Sequence, residues 1–207
     1  MTLTDADRAR LNTAVQAAEA HTSAEVVLVI RSHSGAYADV TLVLAFIAGL
    51  LALTGVLFAD FELDPLAVVP VVCAAAGLGA LLGWKFGPRL VSARRRRAQL
   101  DEAALAAFAR CGVHRTTGRT GVLLYLSTAE KEARLLPDQG VIDAVPVEVR
   151  SEWRAGLGAL MANPSVEALA GFVEALGARA GKYLVHAPDD VDELAGLPGE
   201  QSAVELS

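Results

Sequence analysis

The feature that most constrains this chain is a pair of uncharged apolar runs, residues 40–59 (VTLVLAFIAGLLALTGVLFA) and 66–84 (LAVVPVVCAAAGLGALLGW). At about 1.5 Å of rise per helical residue, each is long enough to cross roughly 30 Å of hydrocarbon as a helix. Pro70 and the glycines of the second run are better tolerated among packed helices in lipid than in a water-soluble helix. The competing reading, two buried core helices of a soluble protein, requires two adjacent uncharged stretches of a length soluble domains rarely carry. The connector at 60–65 (DFELDP) is short, so the two spans run antiparallel as a hairpin and return the chain to the side from which it came.

Charge follows the same division. The formal net charge is −6, but residues 85–97 hold six bases and no acid, while residues 98–207 carry sixteen acids against nine bases. The bases are Lys85, Arg89, Arg94, Arg95, Arg96 and Arg97, directly after the second span. Basic residues next to a span end are retained in the cytoplasm. This predicts a multi-pass protein of the plasma (inner) membrane, with both polar parts cytoplasmic and the acidic connector outside. The Arg run is not read as a nucleic-acid patch, because no aromatic platform accompanies it; anionic lipid head groups account for it. The opening MTLTDADRAR has acids and no apolar core behind it, so it does not read as a signal peptide. Gly79 and Gly83, with Ala75, form a small face on the second span, and Ala45 and Gly49 one on the first. These faces let the hairpin's own helices approach, or form a homodimer seam.

The polar segments alternate between helical and strand periodicity. Thr4 and Asp7 mark a helix start with Leu11, Val15 and Ala18 on one face, followed by a β-branched strand over residues 25–31. After the hairpin, the pattern predicts a helix over 99–110, strands over 121–127 and 132–136 joined as an antiparallel hairpin, and helices over 147–161 and 165–180. A strand apolar on both faces needs neighbours, so 25–31 should share a sheet with 121–127. The expected organisation is an α/β domain split in sequence: 1–37, a transmembrane hairpin over 38–84, a basic juxtamembrane segment over 85–97, 98–187, and an acidic tail over 188–207.

Catalytic signatures are not found. Six residues after Cys111 stands Thr117, not the Arg of a cysteine phosphatase loop. Asp190 and Asp192 lie in a Pro- and Gly-flanked tail, and the stretch 177–183 (GARAGKY) lacks the spacing and hydroxyl of a phosphate loop. His21, His33, His114 and His186 are scattered singly, and there is no nucleophile elbow. The remaining candidates are oxygen ligands for Ca²⁺ or Mg²⁺: Asp138 after the third strand, Asp143 nearby, and Asp39 at the membrane entrance. Their structural alternative is that Asp138 shapes a turn with Gly140 and Asp143 caps the next helix.

Several segments together resemble the TPM domain, most closely its bacterial membrane-protein branch, in which two spans interrupt the domain. They are TDADRARL at 4–11, AAEAHTSAEVVLVI at 17–30, and TGVLLYLS at 120–127, with His114-Arg-Thr, Asp138-Gln-Gly and Asp192-Glu-Leu. The resemblance spans 3–37 and 98–198. It implies a three-layer α/β/α sandwich with a small mixed sheet. It also brings in the family's associations: photosystem II repair in plant and cyanobacterial relatives, acid phosphatase activity in a plant member, and calcium binding in some members. At 137–141 (PDQGV) this chain keeps one glycine where the family's turn has two. The expected function is a non-enzymatic, membrane-anchored domain that binds other proteins or membrane components. The alternatives are a weak divalent-metal-dependent phosphatase and, ranked last because only Thr41, Thr54 and Cys73 are polar within the spans, a small transport or channel accessory subunit.

Overall fold

The computed structural model describes residues 3–35, 37–58 and 64–185. Most of the connector, the acidic tail with Asp190 and Asp192, His186, and the Asp192-Glu-Leu segment lie outside the described residues. The chain is mostly helical, with a small mixed sheet, and separates into two compact units: Met1–Ser34 with Ala98–Ser207, and Gly35–Arg97.

In the first unit, α1 (Asp5–Glu19) starts where a reciprocal cap dictates. The backbone N–H of Asp7 donates to Thr4 Oγ1 at 3.2 Å, and the backbone N–H of Thr4 donates to Asp7 Oδ2 at 2.8 Å. Two otherwise orphaned amides are thereby satisfied. Leu11, Ala14, Val15 and Ala18 form the buried face. Next comes β1 (Val26–Arg31), which pairs in parallel with β2 (Val122–Ser127), Val26 opposite Val122 and Arg31 opposite Ser127. β2 pairs antiparallel with β3 (Glu132–Pro137), giving the order β1-β2-β3. Every residue of the central strand is buried.

Successive strand side chains alternate between two apolar clusters, as the pleat requires. Leu28, Ile30, Leu124 and Leu126 pack with α1, α6 (Val147–Leu160) and α7 (Val166–Ala180), where Trp153, Leu157, Leu169 and Leu176 are buried. Val29, Leu123 and Tyr125 pack instead with Leu100, Ala104 and Ala107 of α4 (Ala93–Arg110) and with Val113 of a 3₁₀ turn, Val113–Arg115. The near-continuous β-branched and leucine runs are therefore needed on both faces.

The second unit contains α2 (Ala38–Phe58) and α3 (Pro65–Leu90). α3 runs six residues past the predicted end at 84, through Pro88, and the basic run opens α4 at Ala93, not at 99. Arginine is a good helix former, and the Ser92 hydroxyl accepts from the Arg95 backbone N–H at 3.3 Å, so the helix begins there. The stretch 85–97 is thus two helix ends around a break at Val91 and Ser92. A further helix, α5 (Gln139–Ala144), lies where no helix was expected: Pro137 closes β3 and Asp138 caps a single short turn.

Close helix contact fixes one position in each pair. A Cβ at Gly177 would overlap the Ala18 backbone of α1, whereas one at Gly171 in the same helix meets nothing within 4 Å. Gly177→Ala should lower stability by about 1 to 3 kcal/mol, the usual effect of overpacking, and Gly171→Ala should raise it by up to about 1 kcal/mol through helix propensity. Denaturant unfolding of the two variants checks the pair. The Asp7 carboxyl is held below the usual carboxylate range, first by the Thr4 backbone N–H and then by the Thr4 hydroxyl. Its contribution to stability is therefore complete above about pH 4 and is lost as pH falls through the lowered value; Asp7→Asn should flatten the acid limb of the stability profile.

Candidate functional site

Four places in the chain carry candidate chemistry, and the apolar hairpin is the largest. At about 1.5 Å per residue, α2 and α3 measure roughly 31 and 39 Å. Only 6% and 11% of their most apolar stretches is buried. Leu42, Phe46, Leu57, Phe58, Leu66 and Val69 stand exposed, which is not the condition of soluble-core helices. The two threonine hydroxyls bond back to the preceding turn: Thr41 Oγ1 donates to the Tyr37 carbonyl at 3.2 Å, and Thr54 Oγ1 to the Leu50 carbonyl at 2.8 Å. Such back-bonding is what a hydroxyl without water requires. At the start of α3, Asp64 accepts from the Leu66 N–H at 2.9 Å.

The two helices meet along glycines four residues apart. Gly79 lies against the Leu44 carbonyl and Ala48, Gly83 against the Thr41 backbone, and Gly87 against Tyr37. Across the seam, a Cβ at Gly49 would sit 3.4 Å from the Ala76 methyl. Ala45 and Ala75 are half-buried. The small residues of 79 and 83 therefore face the hairpin's own partner helix, where an added methyl group has no room.

Among the six bases that follow the second span, Arg95 and Arg96 make side-chain hydrogen bonds within the unit. Arg95 grips Asp39 with both guanidinium arms, Nη1 to Oδ2 at 2.6 Å and Nη2 to Oδ1 at 2.8 Å. Arg96 Nη1 donates to the carbonyls of Val91 at 3.1 Å and Pro88 at 3.3 Å, at the end of α3 where backbone oxygens lack helical partners. Lys85 and Arg89 both approach the Phe86 ring, at 5.8 and 5.9 Å from its centroid. Arg94 is exposed, as is Arg97.

Each of the proposed metal carboxylates is engaged by a neighbouring side chain. Asp39 belongs to the second unit and is taken by Arg95. Asp138 is buried at the N-cap of α5, accepting from the Gln139 N–H at 2.7 Å and from Arg119 at 2.8 and 3.3 Å. Asp143 lies inside α5, where Gln139 Nε2 donates to it at 2.7 Å. Asp143 does not cap the next helix; Pro146 holds that position. Among the described residues, no group of three His, Cys, Asp or Glu side chains could hold a metal ion. Ca²⁺ takes six to eight oxygens, whereas both Asp138 oxygens accept from the Arg119 guanidinium, which stands where a cation would.

A polar cluster that the sequence reading missed lies where β1 and β2 end. Glu130 is 8% exposed and Ser127 fully buried, and the Ser127 hydroxyl donates to Glu130 Oε2. The Ser34 N–H donates to the same carboxylate at 3.1 and 3.3 Å, and Ser34 Oγ lies 3.4 Å from the Tyr125 hydroxyl. Backbone bonds from Thr128 to Arg31 and from Ala129 to Ser32, each 3.0 Å, close the same corner. Glu130 thus ties the last residue of the N-terminal segment to the β2–β3 turn. Its only sequence signal was the three-residue spacing of Ser127 and Glu130 across a turn, which thousands of solvated turns share.

The glycine seam yields a paired expectation. Gly83→Val should lower the thermal midpoint of the intact protein in detergent by about 3 to 10 °C, from an overpacking penalty of a few kcal/mol. Gly77→Val, at a position with nothing within 4 Å, should leave it nearly unchanged. Thermal unfolding of both variants under one condition decides it.

No family model matches the sequence, and none of the curated proteins matches it. Among solved structures, the chain is similar to the NMR structure of BA42 protein from the psychrophilic bacterium Bizionia argentinensis, with 16% identity and a TM-score of 0.59, covering 100% of this chain and 97% of that one. At that identity the likeness concerns the fold alone.

Proposed function

We propose that this protein is a two-span membrane protein that displays a TPM-like α/β domain on the cytoplasmic side of the inner membrane and acts there as a non-enzymatic binding or accessory module. The observation that carries this reading is the hairpin: two helices of 21 and 26 residues built around long uncharged apolar runs, seamed by glycines and exposing their large apolar side chains outward. Such a surface is stable against lipid and unstable against water. Orientation rests on the bases that follow α3, since Lys and Arg beside a span end stay on the cytoplasmic side. The packing of strand side chains into two clusters, one with α1, α6 and α7 and one with α4, supports a three-layer arrangement of the domain. The engagement of Asp39 by Arg95 and of Asp138 by Arg119 supports a structural use of those carboxylates.

Orientation is tested in intact cells in a background that carries Cys73→Ala and Cys111→Ala. A cysteine introduced as Glu62→Cys should react with a membrane-impermeant maleimide, and one introduced as Glu102→Cys should react only after lysis. The opposite pattern would reverse the topology. For the binding role, the purified full chain should hydrolyse a generic phosphoester no faster than buffer, with Ca²⁺ or Mg²⁺ at millimolar concentration. Metal-dependent turnover abolished by Asp138→Asn would favour the phosphatase alternative.

A further inference from the structure

The collar after α3 contains more positive charge than carboxylates among the described residues pair with, and it is divided between two tasks. Arg95 and Arg96 are occupied: one closes on Asp39 at the entrance of α2, the other on the last carbonyls of α3. Lys85, Arg89 and Arg94 are exposed, and none has an ion pair with a carboxylate among the described residues. Two physical features make this remainder unfavourable without an anion. Arg94 sits in the first turn of α4, where the helix dipole is positive and where no acid stands in the turn. Lys85 and Arg89, one helical turn apart, are drawn to the same ring, each within 6 Å of the Phe86 centroid. Two like charges held on one aromatic side chain repel each other unless a counter-ion lies between them.

The position of these cations selects the anion. Trp84, 72% exposed, and Leu90, 58% exposed, bracket Lys85 and Arg89 on α3, within about 9 Å of helix. An exposed indole at the end of an apolar span, followed at once by cations, matches the depth at which head groups meet acyl chains. A soluble anion would not need the indole and leucine beside it; a phospholipid phosphate with its chains does.

We propose that Lys85, Arg89 and Arg94 form a binding surface for the phosphates of anionic phospholipids, with Trp84 and Leu90 against the upper acyl chains, while Arg95 and Arg96 hold the hairpin corner. This rests on the hairpin spanning a bilayer.

The chain contains its own reporter. Trp84 lies in the proposed surface, and Trp153, 4% exposed in the core of the other unit, supplies an unquenched baseline. The full-length protein is reconstituted in liposomes of phosphatidylcholine and phosphatidylglycerol, with bromine on the acyl chains of one lipid at a time. Brominated phosphatidylglycerol should compete for the Trp84 surroundings at least about fivefold better than brominated phosphatidylcholine, the effect of a single basic residue at an anionic surface, and the preference should shrink in high salt. Lys85→Gln/Arg89→Gln/Arg94→Gln should bring the ratio to one, whereas Arg95→Gln should lower thermal stability and keep the preference. Equal quenching by the two lipids in the unsubstituted protein, or a preference that survives the triple substitution and disappears with Arg95→Gln, overturns the assignment. Sodium phosphate at matched ionic strength should lower the preference no more than sodium chloride does; a larger drop assigns the surface to a soluble phosphate and overturns the lipid. If neither lipid quenches Trp84, the spanning reading itself fails, a result distinct from loss of lipid preference.

Discussion

The apolar exterior of the hairpin sets the conditions for everything else in the chain. A side chain such as Leu42, Phe46, Leu57 or Leu66, left in water, forgoes about 1.5 to 3 kcal/mol of burial. Four of them together approach 10 kcal/mol, comparable with the whole net stability of a typical domain. That cost is what makes the two helices candidate membrane spans. The glycine seam is the internal counterpart of the same constraint. In lipid the helices gain nothing by hiding apolar area from one another, and what joins them is close backbone approach at Gly79 and Gly83. The Asp39–Arg95 pair then fixes the polar end of the hairpin, where both charges can remain close to water.

The insertion of a hairpin into an α/β unit becomes intelligible from the sheet. β1 and β2 are parallel neighbours, and a parallel pair cannot be joined by a tight turn; it needs a long connection whatever that connection contains. The closure entropy of such a connection grows only slowly with its length, so a two-helix insertion between β1 and α4 is tolerated by the fold. What the fold must supply is a fixed exit point. Glu130 does this, holding the Ser34 N–H beside the buried Ser127 hydroxyl at the last described residues before the second unit. The antiparallel partner β3 follows β2 after a short turn, so the sheet's remaining pairing is local.

Periodicity made most of the elements legible, and chemistry at their ends decided where it failed. The capping pair Thr4 and Asp7 placed the start of α1 correctly, and the β-branched runs placed β1 and β2 in one sheet. α5 was missed because six residues are too few for a helical stripe, and Asp138 was weighed as a ligand or a turn former while the cap was sought at Asp143. The helix expected over 99–110 starts at Ala93 and takes in the run Arg94 to Arg97, although four like charges at a helix start oppose the dipole; Ser92 and the partners of Arg95 and Arg96 offset that opposition. The Glu130 cluster was invisible because its members come from residues 34, 125, 127 and 130, joined only by the parallel pairing. Function was least legible. A candidate span is written in composition, whereas a binding partner is written in a surface whose chemistry no spacing rule encodes.

The central claim is that the outer face of the hairpin meets lipid. It is tested most directly by a nitroxide at Phe46→Cys, mid-span on α2 and 70% exposed, in the intact protein reconstituted in liposomes after replacement of Cys73 and Cys111. The account predicts frequent collisions with dissolved oxygen and almost none with a water-soluble nickel chelate. Ready collision with the nickel chelate, or exclusion of both agents by a protein surface packed over the label, would contradict it.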